Sequence, residues 1–419
     1  MRLKRWVVLL VGGLVLCSLG IASLLVDAYQ SAPVPDPAGA RTLEPLSRVA
    51  LAAIVLASGA LVCALALRGL YRSVEDVVVT RGHGSNRPGL LGMVYESRLR
   101  RGGPRVVCIG GGTGMPSVLR GLKDYTSNVT AIVTVGDDGG SSGRLRREHG
   151  ILPPGDFRNN IVALAEAEPL MGRLFQYRFP PGSPLQGHSF GNLFVLAMTG
   201  VTGNFEQALR ETSRVLAVKG TILPSTPQDV IICAQFTDGT EVCGESQVPE
   251  ARKPIERISL RPSHPAAQPE AVRAILEADL VVLGPGSLYT SVVPNLLVEG
   301  IAKALLQTDA LKVYVCNLAS QAGETDGYGV DDHVAALVRH LPGEQNPLDV
   351  VLTNQHADGV TSPDAGVSLI RATARDSTRP RIVVADVARD GQPLRHDPDK
   401  LTRVLLELYE QRARSTRRG

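Results

Sequence analysis

Three loops within residues 106–160 carry residue types suited to holding an anion. They read Gly110-Gly111-Gly112-Thr113-Gly114, then Asp137-Asp138-Gly139-Gly140-Ser141-Ser142-Gly143-Arg144, then Leu152-Pro153-Pro154-Gly155-Asp156-Phe157-Arg158-Asn159-Asn160. The first follows an apolar run at 106–109 and precedes a helix-like run at 117–123. A strand, a glycine turn and a helix N-terminus direct backbone N–H groups and positive potential at one point. A single GGxG turn serves equally well to pack a helix against a sheet. A second loop in the same setting, Gly284-Pro285-Gly286-Ser287-Leu288-Tyr289-Thr290-Ser291 after the apolar run 280–283, tips the balance. Two such loops on one sheet can hold the two phosphates of a diphosphate from both sides.

The second loop places Asp137 and Asp138 after the apolar run 131–135. Carboxylates there can accept from ribose hydroxyls, hold a hydrated Mg²⁺ or take a proton from a substrate, and they can equally be turn caps. Of Arg144, Arg146 and Arg147, one can neutralise phosphate and the others face solvent. Asp156 reads either as the N-cap of an apolar helix at 161–167 or as a catalytic carboxylate, with Arg158 and Asn159 in a first turn able to face the crevice. His188 lies in Gly187-His188-Ser189-Phe190-Gly191-Asn192, where a lone histidine near a helix start is more often structural. Asn192 reads as a base or sugar contact. No Ser/His/Asp arrangement, HExxH or Walker lysine is present. Any chemistry therefore rests on positioning and charge.

These loops need a scaffold, and the rest of 104–411 supplies the pattern of one. Strand-like runs at 105–109, 129–135, 280–283, 312–316, 350–353 and 382–385 are nearly continuous in apolar residues, as in a sheet covered on both faces. Helix-like runs lie at 269–277, 294–306, 330–340 and 401–412. The fold class is α/β, a Rossmann-like, doubly wound, mostly parallel sheet. Between 220 and 261 short alternating runs around Asp238-Gly239 predict an inserted β-hairpin. There is no internal repeat.

Ahead of this domain, residues 6–26 and 49–67 are charge-free apolar runs close to the ~20 residues a membrane-spanning helix needs. Arg2, Lys4 and Arg5 precede the first, and Arg68 and Arg72 follow the second. By the positive-inside rule both ends lie in the cytoplasm and the segment 27–48 outside. A cleaved signal peptide is the competing reading of the first run, weakened by its length and by the second run. The layout is a transmembrane hairpin over 1–72, a linker over 73–103 with a loop at 81–88, the α/β domain over 104–411 and a basic tail over 412–419.

The net charge of +3 makes no general case for nucleic acid. The clusters Arg98, Arg100, Arg101, Arg105 and Arg412, Arg414, Arg417, Arg418 read as a solvated linker and tail. Six cysteines without a Cys-x-x-Cys spacing argue against a disulfide framework and a zinc site, and for a reducing compartment.

Taken together, GGGTG, TAIVTVGDDGGSSGRLRREHGILPPGDFRNN, GHSFGNL and LVVLGPGSLYTSVVPNLLVEGI closely resemble the gluconeogenesis factor family, the YvcK-like branch of the CofD-like superfamily. The resemblance covers 104–411. It implies a Rossmann-like domain that binds a UDP-sugar such as UDP-N-acetylglucosamine and couples carbon metabolism to cell-wall synthesis and cell shape. Residue by residue it implies that Gly111, Gly112, Thr113 and Gly114 hold phosphate with Gly284, Gly286, Ser287 and Thr290. Asp137 and Asp138 then face the sugar or a metal, and Asn192 lies near the ligand. It also implies a homodimer and cell-wall synthesis proteins as partners. The sister branch, 2-phospho-L-lactate transferase, is a Mg²⁺-dependent enzyme that shares the GGTG loop and the Asp pair but lacks the DDGGSSGRLR and LPPGD-x-RN runs.

The expectation is thus a cytosol-facing regulator tethered to the inner membrane, with no obligatory cofactor. The alternative is a Mg²⁺-dependent transferase acting on a nucleotide-activated donor, with Asp137 or Asp138 as metal ligand or base. Typical members begin almost at the first strand, so the hairpin is an addition.

Overall fold

The near-continuous apolar runs do form one sheet. In a computed structural model, which describes residues 2–30, 45–79, 102–166, 169–355, 367–372, 374–375 and 379–416, the chain divides into two units, 1–98 and 99–419. The second unit is built on seven strands: β1 (Val106–Gly110), β2 (Val129–Val133), β3 (Thr221–Pro224), β7 (Leu280–Leu283), β8 (Leu311–Val315), β9 (Val350–Asn354) and β10 (Arg381–Ala385). Their order is β10-β9-β8-β7-β1-β2-β3, and every pairing is parallel.

The chain runs outward from β1 through β2 to β3, then returns to β7 on the other side of β1 and runs outward again. Right-handed crossovers in opposite directions put helices on opposite faces of the sheet. The gap between β1 and β7 is the point where the direction reverses, which is where open α/β sheets bind ligands.

The helices that position the site are α3 (Met115–Leu122), α4 (Gly140–His149), α5 (Pro154–Leu164), α6 (Pro169–Gln176), α7 (Phe190–Thr202) and α8 (Phe205–Val215). The closing helix, Pro398–Thr416, packs on α3 so closely that a Cβ at Gly121 would lie 2.1 Å from Thr402 Oγ1. Tyr289, Tyr314, Phe157, Phe175 and Phe236 are the largest fully buried side chains of this unit's core.

Five expectations change. The stretch from 220 is not all hairpin, because Thr221–Pro224 joins the main sheet as its edge strand. The insertion is instead a three-stranded antiparallel sheet of β4 (Ile231–Phe236), β5 (Glu241–Cys243) and β6 (Ile255–Arg261), turning at Asp238-Gly239 as its spacing predicts. The helix at 294–306 is broken into a π-turn at Leu288–Val292 and helices Val293–Leu296 and Glu299–Gln307. The apolar helix at 161–167 starts seven residues earlier, at Pro154. The basic tail from 412 is the last turn of the closing helix, where Arg414 meets Glu410 at 3.1 Å.

The first unit consists of α1 (Arg2–Gln30) and α2 (Pro45–Val79), which contain apolar stretches at Val8–Val26 and Ala50–Gly69, each long enough to cross a membrane. The two helices lie against each other through small residues. A Cβ at Gly13 would lie 2.6 Å from Cys63 Sγ, and one at Gly59 would lie 2.7 Å from Cys17 Sγ. Such contacts let helix backbones approach closely. Because α2 runs on to Val79, the first part of the expected linker is helix. The loop expected at 81–88, most of the segment 27–48, and Arg98, Arg100, Arg101, Arg417 and Arg418 lie outside the described residues.

Candidate functional site

At the carboxyl ends of β1 and β7 the two glycine loops touch. A Cβ on Gly114 would sit 2.4 Å from Pro285 O and 2.9 Å from Gly286 N, so only glycine lets the second loop come this near. Gly112 and Gly284 have φ of +64° and +75°, the left-handed region that glycine adopts freely. Asn295, fully buried, ties the loops from beneath: its Nδ2 donates to Gly110 O at 3.3 Å and Ser291 O at 2.8 Å. Above them opens a groove of about 420 Å³, lined by Gly112, Thr113, Gly114, Gly286, Ser287 and Ser291 with Asn317, Ser320, Gln321 and His396. A second groove, about 350 Å³, lies at the amino ends of β1, β2 and β3 beside Arg105 and Asn128. The switch-point rule favours the first.

The sequence expectations divide here. Gly112, Thr113, Gly114, Gly286 and Ser287 line the groove, while Gly111 and Gly284 lie under it as spacers. Two of the expected backbone donors are already engaged: Gly112 N donates to Asp156 Oδ2 at 2.6 Å, and Gly286 N to Asn317 Oδ1 at 3.2 Å. Thr290 does not reach the groove. It is buried behind the loop and donates to Glu324 Oε1 at 3.1 Å, because the π-turn carries it inward.

A loop after β8 supplies the missing wall. Ser287 Oγ donates to Gln321 Oε1 at 2.7 Å, and Gln321 Nε2 donates to Glu324 Oε1 at 2.8 Å. Burial pushes the Glu324 carboxyl up to about 7 against the pull of Thr290 and the Tyr289 N–H. These residues went unnoticed in the sequence. Their one signal was a run of small polar residues, Asn317 to Glu324, following a strand.

Beyond Asp156 lies a wing of carboxylates. Asp156 is not an N-cap: Pro153 holds that position, and Asp156 sits in the first turn of α5 facing the glycine loop. Burial raises its carboxyl to about 6, opposed by the Gly112 N–H. Asp137 is raised by burial and held back by Gly139 N–H, at 3.0 Å, and the Ser142 hydroxyl. Asp138 Oδ1 accepts from Ser246 N at 2.9 Å.

Glu245, which follows β5, joins them from the inserted sheet. Burial raises it to about 8, and Asp137, Asp156 and Asp138 add to the effect. It keeps its proton at neutral pH and can donate to an oxygen anion. Sequence reading passed over it, since nothing along the chain links 245 to 137.

The remaining expected residues form a third patch. Asn192 Nδ2 donates to Ser141 Oγ at 3.0 Å, and Ser141 Oγ lies 3.0 Å from His188 Nδ1. Arg158, nearly buried, donates from Nη1 to Ser189 Oγ at 2.5 Å and from Nη2 to Asn159 Oδ1 at 2.9 Å. Burial lowers its guanidinium to about 10, and Arg178 adds to this. Asn192 Oδ1 is buried without a protein partner. Of the loop arginines, Arg146 is not a solvent-facing group: it is buried and bonds Val230 O at 2.6 Å and Asp229.

The cysteine expectation is overturned at one pair. Cys233 and Cys243 are joined by a disulfide, because the Asp238-Gly239 turn sets them opposite each other on β4 and β5. With Glu241 they also form the one group among the described residues whose three ligand atoms lie within 4.8 Å. The Asp137 and Asp138 carboxylates join no such group. They suit only a cation that brings its own water or ligand oxygens, as Mg²⁺ does.

Comparison with known proteins gives a consistent result. The family model described as 2-phospho-L-lactate transferase CofD matches residues 106–377. A Nostoc sp. protein that carries a gluconeogenesis factor name is 44% identical over 426 residues, covering 98% of this chain and 91% of its own length. The gluconeogenesis factor of Bacillus subtilis is 42% identical over 317 residues, 74% of this chain and 99% of its own. The N-terminal hairpin thus falls within the first similarity, and the second is confined to three quarters of the chain. The crystal structure of a UPF0052 family member from Bacillus halodurans matches with a TM-score of 0.67 and 44% identity over 72% of this chain and 98% of that one.

Proposed function

The chain belongs to the CofD family, among the gluconeogenesis factors, and from that premise we propose that it binds a UDP-sugar of the UDP-N-acetylglucosamine type as a sensor. The observation that carries this is the contact of the two glycine loops at the switch point. It leaves a polar groove of about 420 Å³, within the range of roughly 300–1,000 Å³ usual for small-molecule sites. In this reading the diphosphate lies between Thr113-Gly114 and Ser287, with Ser291 and Gln321 beside it. The sugar extends toward Asp156, Asp137 and the protonated Glu245. Asn192, with its unsatisfied carbonyl, lies at the far end.

The hairpin is read as a tether that holds the α/β domain at the cytoplasmic face of the cell membrane. There it reports nucleotide-sugar supply to cell-wall synthesis and cell shape. The carboxylate wing supports a second reading, transfer from a nucleotide-activated donor. Mg²⁺ would then sit at Asp137 and Asp138 and neutralise charge on the phosphates, and one of the two would orient the acceptor.

One experiment separates the readings. UDP-N-acetylglucosamine is titrated against the full chain in detergent, and the bound ligand is recovered and weighed by mass spectrometry. Sensing gives saturable binding and intact ligand with or without Mg²⁺. Transfer gives consumption of the ligand that Asp138→Asn abolishes while binding persists. Absence of saturable binding by any nucleotide or nucleotide sugar rejects both.

A further inference from the structure

The inserted sheet holds a device that the ligand reading does not use. β5 is an edge strand of three residues, paired only with β4, and the Cys233–Cys243 disulfide crosses that pairing. Both ends of the disulfide lie next to residues that touch the acidic loop. After Cys243, Gly244 packs so close to Asp138 that a Cβ would lie 2.7 Å from its Oδ2, Glu245 enters the carboxylate wing, and Ser246 N donates to Asp138 Oδ1. Before Cys233, the Ile232 side chain fills the space a Cβ on Gly136 would need, 2.4 Å away, and Ile232 O accepts from Gly244 N at 2.8 Å. The disulfide therefore clamps the short strand whose continuation packs against Asp138 of the acidic loop.

We infer that Cys233–Cys243 is a redox latch: oxidised, it holds Glu245 and Ser246 against Asp138, and reduced, it releases them. Cys233 is fully buried and Cys243 is half-buried, so the Cys243 sulfur is the point of attack. A thiolate of an incoming dithiol bonds to Cys243 Sγ, the protein S–S bond breaks, and Cys233 leaves as a thiolate that takes a proton. The second thiol of the reductant then displaces Cys243 as a thiol and leaves as the reductant's disulfide. Two electrons pass from dithiol to protein, and no other reactant is needed. Release costs β5 little else, because edge strands of this length have few bonds to keep them in place.

The test uses the full chain in detergent, either oxidised or treated with dithiothreitol, and needs no ligand. Alkylation under denaturing conditions counts thiols by mass. Four of the six cysteines should label in the oxidised protein and all six after reduction. Hydrogen exchange should then quicken by about tenfold on reduction at 136–146 and 241–248, with the seven-stranded sheet unchanged. Cys243→Ser should show the fast pattern with or without dithiothreitol. The inference is overturned if all six cysteines label without reductant, or if the disulfide is present and its reduction leaves exchange at 136–146 unchanged. Because neither readout involves a nucleotide, failure here is distinct from failure of UDP-sugar binding.

Discussion

Replacing Gly114 by alanine tests the grip between the two loops. The added methyl would stand 2.4 Å from Pro285 O, 2.7 Å from Pro285 C and 2.9 Å from Gly286 N. These are backbone atoms, so no side chain can swing aside. To reach an ordinary contact near 3.4 Å the loops must separate by about 1 Å, and overpacking of this kind costs roughly 1–3 kcal/mol. If that separation is felt wholly by a ligand clamped between the loops, affinity falls by about 5- to 150-fold.

Gly110, four residues earlier in the same loop, supplies the contrast. A Cβ there would meet Gly284 Cα and Met115 Sδ at 3.8 Å, an ordinary contact, and the backbone is not left-handed. Gly110→Ala should therefore bind within about twofold of the parent, since a methyl at ordinary van der Waals distance adds little strain. Isothermal titration with UDP-N-acetylglucosamine, run well below the unfolding midpoint of each variant, reads the difference. Equal affinities for Gly114→Ala and the parent would refute the grip. Equal losses in both variants would refute the steric reasoning.

Three further outcomes follow from the same geometry. Asp156, Glu324 and Glu245 have folded-state values of about 6, 7 and 8, all above the ~4 of an unfolded chain. These carboxyls hold extra protons in the folded protein, while burial lowers His333, His340 and His396 to about 4 and opposes them below about pH 6.5, so net stability should fall as pH rises from about 6.5 to 8. Scanning calorimetry from pH 5.5 to 8.5 should show this, and Glu245→Gln should flatten the upper part by at least about 2 °C; an unchanged slope would contradict the buried carboxylate wing. Asn295→Ala removes the bonds to Gly110 O and Ser291 O and should lower stability by about 1–3 kcal/mol in urea denaturation, with UDP-sugar affinity reduced as well. Protease added outside intact cells should cut only within 27–48, and cleavage in the α/β domain would overturn the proposed topology.

Much of the scaffold was legible because parallel strands buried on both faces leave long apolar runs. Six of the seven strands of the main sheet announce themselves this way. The seventh, Thr221–Pro224, is four residues long, starts exposed and ends in proline, so it looks like part of the hairpin that follows. Helix α5 begins inside Pro154-Gly155-Asp156, which reads as a turn; its buried first turn, set against the glycine loop, overrides local propensity. The glycine loops themselves were legible, because close approach and left-handed φ demand glycine. Their partners were not: Asn317 and Gln321 reach the groove through the order of strands in the sheet, Glu324 is buried behind the second glycine loop, and Glu245 is brought near the acidic loop by the seating of the insertion. The Cys233–Cys243 pair was missed for a related reason, since its ten-residue separation acquires meaning only once the hairpin register is known.

The central claim is that a diphosphate lies between the loops after β1 and β7. A crystal structure of the chain with UDP-N-acetylglucosamine tests it most directly. The account predicts both phosphorus atoms in the groove bounded by Thr113, Gly114 and Ser287, with the sugar directed toward Asp156 and Glu245. Density for the ligand at the amino ends of the strands, beside Arg105 and Asn128, or no density at saturating ligand, would contradict it.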